Sequence, residues 1–218
     1  MNDKLTLFEL TGSPNNVKAR IALGYKKLNY DRRPLELDSF PGDRSQIAAL
    51  SGQPRTPVLQ HGEIVIFDSG GILRYLEANF PDSPRIFRDG YEEHGEIERW
   101  EMYARMQIGE AIGMLFGQAL AKSADAGIVA KANEMLNERT AAFEDRLSSR
   151  NFLVGDHLTA ADIACAAPLY LADMTAEKAE FSPIARFFFQ NLRLGAQRER
   201  TRAWTRRVLA FDSVLGGR

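Results

Sequence analysis

The sequence predicts a small α/β unit of order β-α-β-α-β-β-α followed by an all-helical bundle. Three observations carry this. Up to Phe80, short apolar runs alternate with amphipathic segments and are divided by Gly, Pro and Asn. The stretch from Asp82 to Tyr91, rich in Pro, Asp and Gly, then breaks the pattern. Beyond it, apolar residues recur only at helical spacing. Two domains are therefore expected, 1–81 and 92–218, with 82–91 as linker.

Leu5 to Leu10 is apolar on both faces and reads as an inner strand. The turn cluster Thr11-Gly12-Ser13-Pro14-Asn15-Asn16 follows. Val17, Ile21 and Tyr25 then mark one helical face, with Asn15 or Asn16 as its cap. Tyr30 to Leu37 reads as a second strand, and Pro34 places it at a sheet edge. Arg44 to Leu50 is a short helix. Pro57 to Gln60, a His61-Gly62 turn and Glu63 to Phe67 form a hairpin. Ser69 to Phe80 is a helix with Ile72, Leu73 and Leu76 on one stripe and Pro81 as its stop. A parallel strand pair with the hairpin added is the economical packing of that order.

In the second half, Ile97, Trp100, Ala104, Ile108, Ala111 and Leu115 make one helical stripe. Ile128, Ala132, Leu136, Phe143 and Leu147 make a second. Leu158 to Leu171 is apolar almost all round, the mark of a buried central helix. Trp204, Val208, Leu209 and Phe211 anchor the last helix.

Composition narrows the function. Of 218 residues, 44% are hydrophobic and 26% charged, as in an ordinary globular protein. Lys and Arg number 28 against 29 Asp and Glu, a net charge of −1, so there is no basic field for nucleic acid. Among the arginines at 193, 198, 200, 202, 206 and 207 the one aromatic is Trp204, which falls on the apolar stripe, so they read as a solvated helical face. No apolar run is long enough for a bilayer span. The Met1-Asn2-Asp3-Lys4 start lacks a signal-peptide pattern, so a cytoplasmic protein is expected. Cys165 is the one cysteine, which rules out an intrachain disulfide and a dithiol centre. His61, His94 and His157 are too scattered to suggest a metal.

Three motifs remain. Thr56-Pro57-Val58 opens a strand; a cis bond there turns the Thr56 main chain outward to pair with an extended peptide, whereas a trans proline simply opens an edge strand. Asp68-Ser69 stands at a helix start, where free N–H groups attract a carboxylate and where Asp and Ser also serve as plain caps. Thr159-Ala160-Ala161-Asp162 is a capping box with Asp in the third position, a folding device.

Together and in this order, these motifs resemble the soluble glutathione transferases, along nearly the whole chain. The family pairs a thioredoxin-like N-terminal domain with an all-helical C-terminal domain. The resemblance extends to the Phe67-Asp68-Ser69-Gly70-Gly71-Ile72-Leu73-Arg74-Tyr75-Leu76 segment and to the ending Ala203 to Ala210. It departs at Ser51-Gly52-Gln53-Pro54-Arg55, where the family has Asn-Pro-x-Gly, and in a long 174–199 segment with Phe181 and Phe187-Phe188-Phe189. The aromatic cluster reads as core or dimer packing.

The resemblance implies glutathione as co-substrate, no metal, a small electrophilic or disulfide substrate, and a homodimer. The reactive species is the thiolate, so the protein must lower the thiol pKa and hold both charged ends of the tripeptide. Ser13 fits the serine-type members, whose Ser before Pro donates to the thiolate. The Ser13-Pro14-Asn15 run also resembles the nu-type proteins, which act on disulfides with Asn15 as donor. Arg55, Thr56, Pro57, Asp68 and Ser69 are the implied glutathione ligands, with Arg44 as a further cation. The acceptor pocket is expected along Arg105, Met106, Gly109, Gly113 and Phe116. Conjugation of glutathione to an electrophile is the leading reading. Disulfide or peroxide reduction, a glutathione-dependent lyase or isomerase, and a non-catalytic binding protein on the same fold are its rivals.

Overall fold

The computed structural model describes residues 4–35, 42–180 and 182–216. The chain divides into two compact units, Met1–Phe87 with Ala210–Arg218, and Arg88–Leu209. Where the sequence gives everything after residue 91 to the helical half, the segment from Ala210 packs with the first unit. The reason is the set of ionic, aromatic and hydroxyl contacts it makes to Arg20, Tyr25 and Tyr30.

The first unit contains β1 (Leu5–Glu9), α1 (Pro14–Tyr25), β2 (Tyr30–Pro34), α2 (Ser45–Ser51), β3 (Val58–His61), β4 (Ile64–Phe67) and α3 (Ser69–Asn79). The sheet order is β2-β1-β3-β4. β1 and β2 are parallel, while β3 runs antiparallel to both β1 and β4. This is the expected parallel pair with a hairpin added. Pro34 closes edge strand β2 opposite Glu9, where its missing N–H breaks no ladder. The end of the expected second strand, beyond Leu35, and Phe181 lie outside the described residues. Gly62, at φ +60°, turns the hairpin.

Leu7, Ile21, Leu59, Ile72 and Leu76 are fully buried and form the core of the first unit. The first helix is capped by Ser13 rather than by an Asn. Pro14 takes its first position, where a fixed φ and an absent N–H suit the helix start. Lys26 is buried, and its Nζ donates to Glu77 Oε2 at 2.9 Å and the Pro84 carbonyl at 3.1 Å. Glu77 also accepts from Arg85 Nε and the Ile86 N–H, so one carboxylate ties the residues after α3 back onto the unit.

The second unit holds α4 (Tyr91–Tyr103), a π-helical turn (Ala104–Ile108), α5 (Gly109–Leu120), α6 (Ala126–Arg139), α7 (Ala141–Arg146), α8 (Ala160–Leu169), a 3₁₀ turn (Tyr170–Ala172), α9 (Ala176–Ala179), α10 (Pro183–Asn191) and α11 (Glu199–Leu209). The second stripe is two helices, because the chain breaks at Thr140, whose Oγ1 donates back to the Leu136 carbonyl at 2.7 Å. The central helix starts at Ala160 rather than Leu158 and runs only to Leu169, one residue beyond Pro168, which cannot donate. All ten of its residues are buried, as its all-round apolar sequence requires. Phe143 stacks with Trp100 and Trp204 at ring separations of 5.5 Å each, joining α4, α7 and α11.

Candidate functional site

Strand register brings the singled-out segments of the first unit to one edge of the sheet. Phe8 pairs with Val58, and Val58 pairs with Phe67. Because β3 is antiparallel to its neighbours, the exits of β1 and β4 lie beside the entry of β3. The turn 10–13, the loop 55–57 and residues 68–69 therefore emerge together. Both α1 and α3 begin there, so the positive ends of two helix dipoles open on the same side, an environment that favours anions.

Ser13 is half-buried. Its carbonyl accepts from the Asn16 and Val17 N–H groups at 2.9 and 3.0 Å, yet its hydroxyl makes no capping bond. A capping serine ordinarily spends its hydroxyl on a helix N–H. Here the hydroxyl, at the start of a helix, has no partner among the described residues. Asn15 is exposed, and its Oδ1 accepts from Lys18 Nζ at 3.1 Å.

Sequence reasoning missed Asn16. It is fully buried; its Oδ1 accepts from the Leu10 N–H and its Nδ2 donates to Thr56 Oγ1, both at 3.2 Å. It joins the β1–α1 turn to the loop before β3. An Asn one place past another Asn gives no sign of that burial in sequence.

The Thr56–Pro57 bond is cis. The departure at 51–55 forms a closed network. Gly52, at φ +72°, ends α2. The Gln53 side chain accepts from the Arg55 N–H at 2.7 Å and donates to the Arg55 carbonyl at 3.0 Å, so it fixes the main chain of Arg55 while the Arg side chain stays exposed. Arg44 is half-buried at the start of α2, and burial pulls its guanidinium somewhat below its ordinary value.

Asp68 caps α3, accepting from the Gly70 and Gly71 N–H groups at 2.7 and 3.4 Å. It does so at φ +71° and ψ 129°, a region that costs a non-glycine residue about 1–3 kcal/mol. That conformation sets Ser69, only 8% exposed, at the first position of the helix. Of the acceptor residues, all in the second unit, Arg105, Met106, Gly109 and Gly113 are exposed and Phe116 is half-buried along the π turn and α5. An open concavity of about 370 Å³ in that unit, walled by Leu171, Met174, Phe189, Leu192, Arg193 and Arg202, contains none of the expected glutathione ligands or acceptor residues.

The arginines of the C-terminal part are occupied within the second unit. Arg193 donates to the Phe189, Leu192 and Gln190 carbonyls, and Arg198 to Thr140 Oγ1. Arg206 pairs with Asp173. Arg193, Arg200, Arg206 and Arg207 are exposed, as a solvated face requires, and these contacts also close helix ends and loops. Among the described residues no cluster of His, Cys, Asp and Glu is arranged to hold a metal. No helix among them is long and apolar enough to cross a membrane.

Comparison with known proteins agrees with this fold. Residues 7–84 match the family model for the glutathione S-transferase N-terminal domain, and residues 104–210 the model for the C-terminal domain. Glutathione S-transferase U14 of Arabidopsis thaliana is 30% identical over 172 residues, 77% of this chain and 69% of that protein. Elongation factor 1-gamma 1 of rice is 25% identical over 195 residues, 85% of this chain but 45% of its own length. The crystal structure of rice GST1 in complex with glutathione superposes with a TM-score of 0.73 at 22% identity, covering 99% of this chain and 92% of that one. Two family-model matches along most of the chain, on a thioredoxin-like unit followed by an all-helical one, make this protein a member of the glutathione transferase superfamily.

Proposed function

We propose that this protein binds glutathione at the edge of the first unit and adds its thiolate to a small hydrophobic electrophile. The observation that carries the reading is the uncommitted Ser13 hydroxyl at the start of α1. A donor aimed at sulfur lowers the thiol pKa because it stabilises the charged form, and the positive end of the helix dipole adds to it. The Ser69 hydroxyl and the α3 N-terminus take the γ-glutamyl carboxylate. The Thr56 main chain pairs with the peptide, and Arg55, with Arg44 behind it, meets the glycine carboxylate. Asp68 takes the ammonium with whatever acceptor capacity its cap leaves. Arg105, Met106, Gly109, Gly113 and Phe116 face the electrophile. The protein works in the cytoplasm as a homodimer, and the exposed Ile64 and Phe67 on edge strand β4 offer apolar surface for the second copy.

Glutathione affinity measured by calorimetry, followed by turnover of an aryl halide, tests the reading. Tight binding with conjugation supports it, and absence of binding removes it. A second reading has its own support: Asn15 is exposed at the same helix start with its Oδ1 occupied by Lys18, so its amide N–H₂ is the group that can donate, which suits thiol–disulfide exchange. Turnover of a mixed disulfide with little conjugation would favour it. Binding without either activity points to the non-catalytic role suggested by the likeness to an elongation-factor subunit.

A further inference from the structure

Behind the Ser13 turn lies a group of four charges, three of them buried and the fourth, Arg32, half-buried, that the catalytic reading leaves unused. Arg20, on α1, is fully buried, as is Glu9 at the end of β1, and Asp212 is 2% exposed. Arg20 Nε donates to both Asp212 carboxylate oxygens at 3.0 Å, and its Nη1 pairs with Glu9 Oε2. Arg32, on β2, donates through Nε to Glu9 Oε1 at 2.6 Å. Two guanidinium and two carboxylate groups balance in charge.

Such a group is a poor device for stability alone. Desolvating four ions costs about as much as their pairing returns, and apolar residues of the same volume serve a core as well. What an apolar set cannot supply is direction. The planar guanidinium of Arg20 is fixed on two sides by Glu9 and Asp212, and its remaining Nη2–H points at the Thr11 carbonyl at 3.0 Å. Thr11 is two residues before Ser13. Arg32 Nη2 lies 3.4 Å from the Thr11 hydroxyl.

Asp212 comes from the far end of the sequence and is itself anchored. It accepts from the Val214 and Leu215 N–H groups at 2.7 and 3.1 Å. Phe211 sits edge-on to Tyr25 at 5.0 Å, and the Ser213 hydroxyl bonds the Tyr30 hydroxyl at 2.9 Å. The Phe211 carbonyl lies so close to Gly24 that any Cβ there would collide with it.

We propose that Arg20 and Asp212 are positioning residues for the Ser13 turn, which makes residues 211–215 a working part of the glutathione site. The inference rests on the reading of Ser13 as the thiolate donor. Asp212 sets the plane of Arg20, Arg20 sets the Thr11 carbonyl, and the Thr11 carbonyl sets the path of Gly12 and Ser13.

The test compares wild type with Arg20→Met/Asp212→Leu, which removes the directed donor while leaving the Glu9–Arg32 pair. Amide hydrogen exchange over residues 10–17 needs no substrate. It should speed by roughly ten-fold or more in the double variant, with the amides of α8 unchanged. With glutathione and an aryl halide, KM for glutathione should stay within about three-fold, kcat should fall about ten-fold, and the acidic limb of the rate profile should move up by about one pH unit. A folded double variant with wild-type exchange in the turn and a wild-type acidic limb overturns the proposal and leaves the function reading standing. A wild type that neither binds nor ionises glutathione removes the function reading, and exchange in the turn then decides alone whether Arg20 and Asp212 position it. If the double variant does not fold, Asp212→Asn, similar in size and still an acceptor, is read by the same two measurements.

Discussion

Ser13 departs from the ordinary use of its residue type. A serine before a helix whose hydroxyl is not spent on the cap forgoes about 1 kcal/mol of helix stabilisation. Ser13→Ala should therefore be nearly neutral for stability, yet lower kcat about 10²-fold with glutathione affinity little changed, since the donor acts on the thiolate. The pH–rate profile separates the readings: if Ser13→Ala leaves the acidic limb in place while Asn15→Ala shifts it upward, Asn15 is the donor. Ser69→Ala should weaken glutathione binding by about 1.5–3 kcal/mol, the contribution of one hydrogen bond to a charged group, and calorimetry reads this directly. Asn16 is the residue whose role the sequence conceals, because its partners Leu10 and Thr56 are brought to it only by the sheet. Cys165, fully buried with its Sγ 3.4 Å from the Trp100 carbonyl, should resist thiol reagents in the folded protein.

At the scale of elements, carboxylates hold helix starts that local sequence leaves open. Asp162 closes the capping box expected from Thr159, accepting from its N–H and hydroxyl at 2.9 Å each, and also receives the Leu153 N–H and Trp204 Nε1–H. Asp162→Ala strands those buried donors and should destabilise the protein by about 3 kcal/mol or more, seen as a lower midpoint in urea. Helix α11 is capped from a distance: Glu144 accepts from the Arg200 and Thr201 N–H groups at 3.0 Å each. Burial by itself raises the Glu144 and Glu77 carboxyls. Hydrogen bonds from Thr201 and Arg200 in the first case, and from Lys26, Arg85 and Ile86 in the second, outweigh burial and hold both below the ordinary 4.5. A carboxylate depressed in the folded state contributes stability above its unfolded pKa and loses it as pH falls through the folded value. The stability contributed by Glu77 and Glu144 should thus be constant above about pH 5 and fall below 4.5. Glu77→Gln should shrink that acid-side loss while lowering the plateau, because Lys26 is left without its counter-charge.

For the whole molecule, the order β-α-β-α-β-β-α and a helical second half were legible from apolar spacing, since the periods of strand and helix are written in local sequence. Boundaries were less so. The break at Thr140 and the end of α8 near Pro168 depend on a side chain bonding back to its own helix and on a missing donor. At this scale the protein should sediment as a dimer at micromolar concentration. Replacing the exposed Phe67 with Glu should shift it toward monomer if β4 contributes to the contact. The near-zero net charge and the carbonyl-bound arginines lead to the expectation that nucleic acid is not retained at physiological salt.

The class of fold, the turn that carries Ser13 and the Asp68-Ser69 helix start follow from local patterns, each with a local physical cause. How these meet is a matter of tertiary structure. The antiparallel register of β3 puts the loop before it beside the exits of β1 and β4, and strand pairing is a long-range choice that local spacing does not encode. Tertiary packing likewise sets residue 212 behind residue 13. A buried Arg needs a counter-charge from wherever in the chain one can reach, and nothing in the neighbourhood of Asp212 in sequence names Arg20 as its partner.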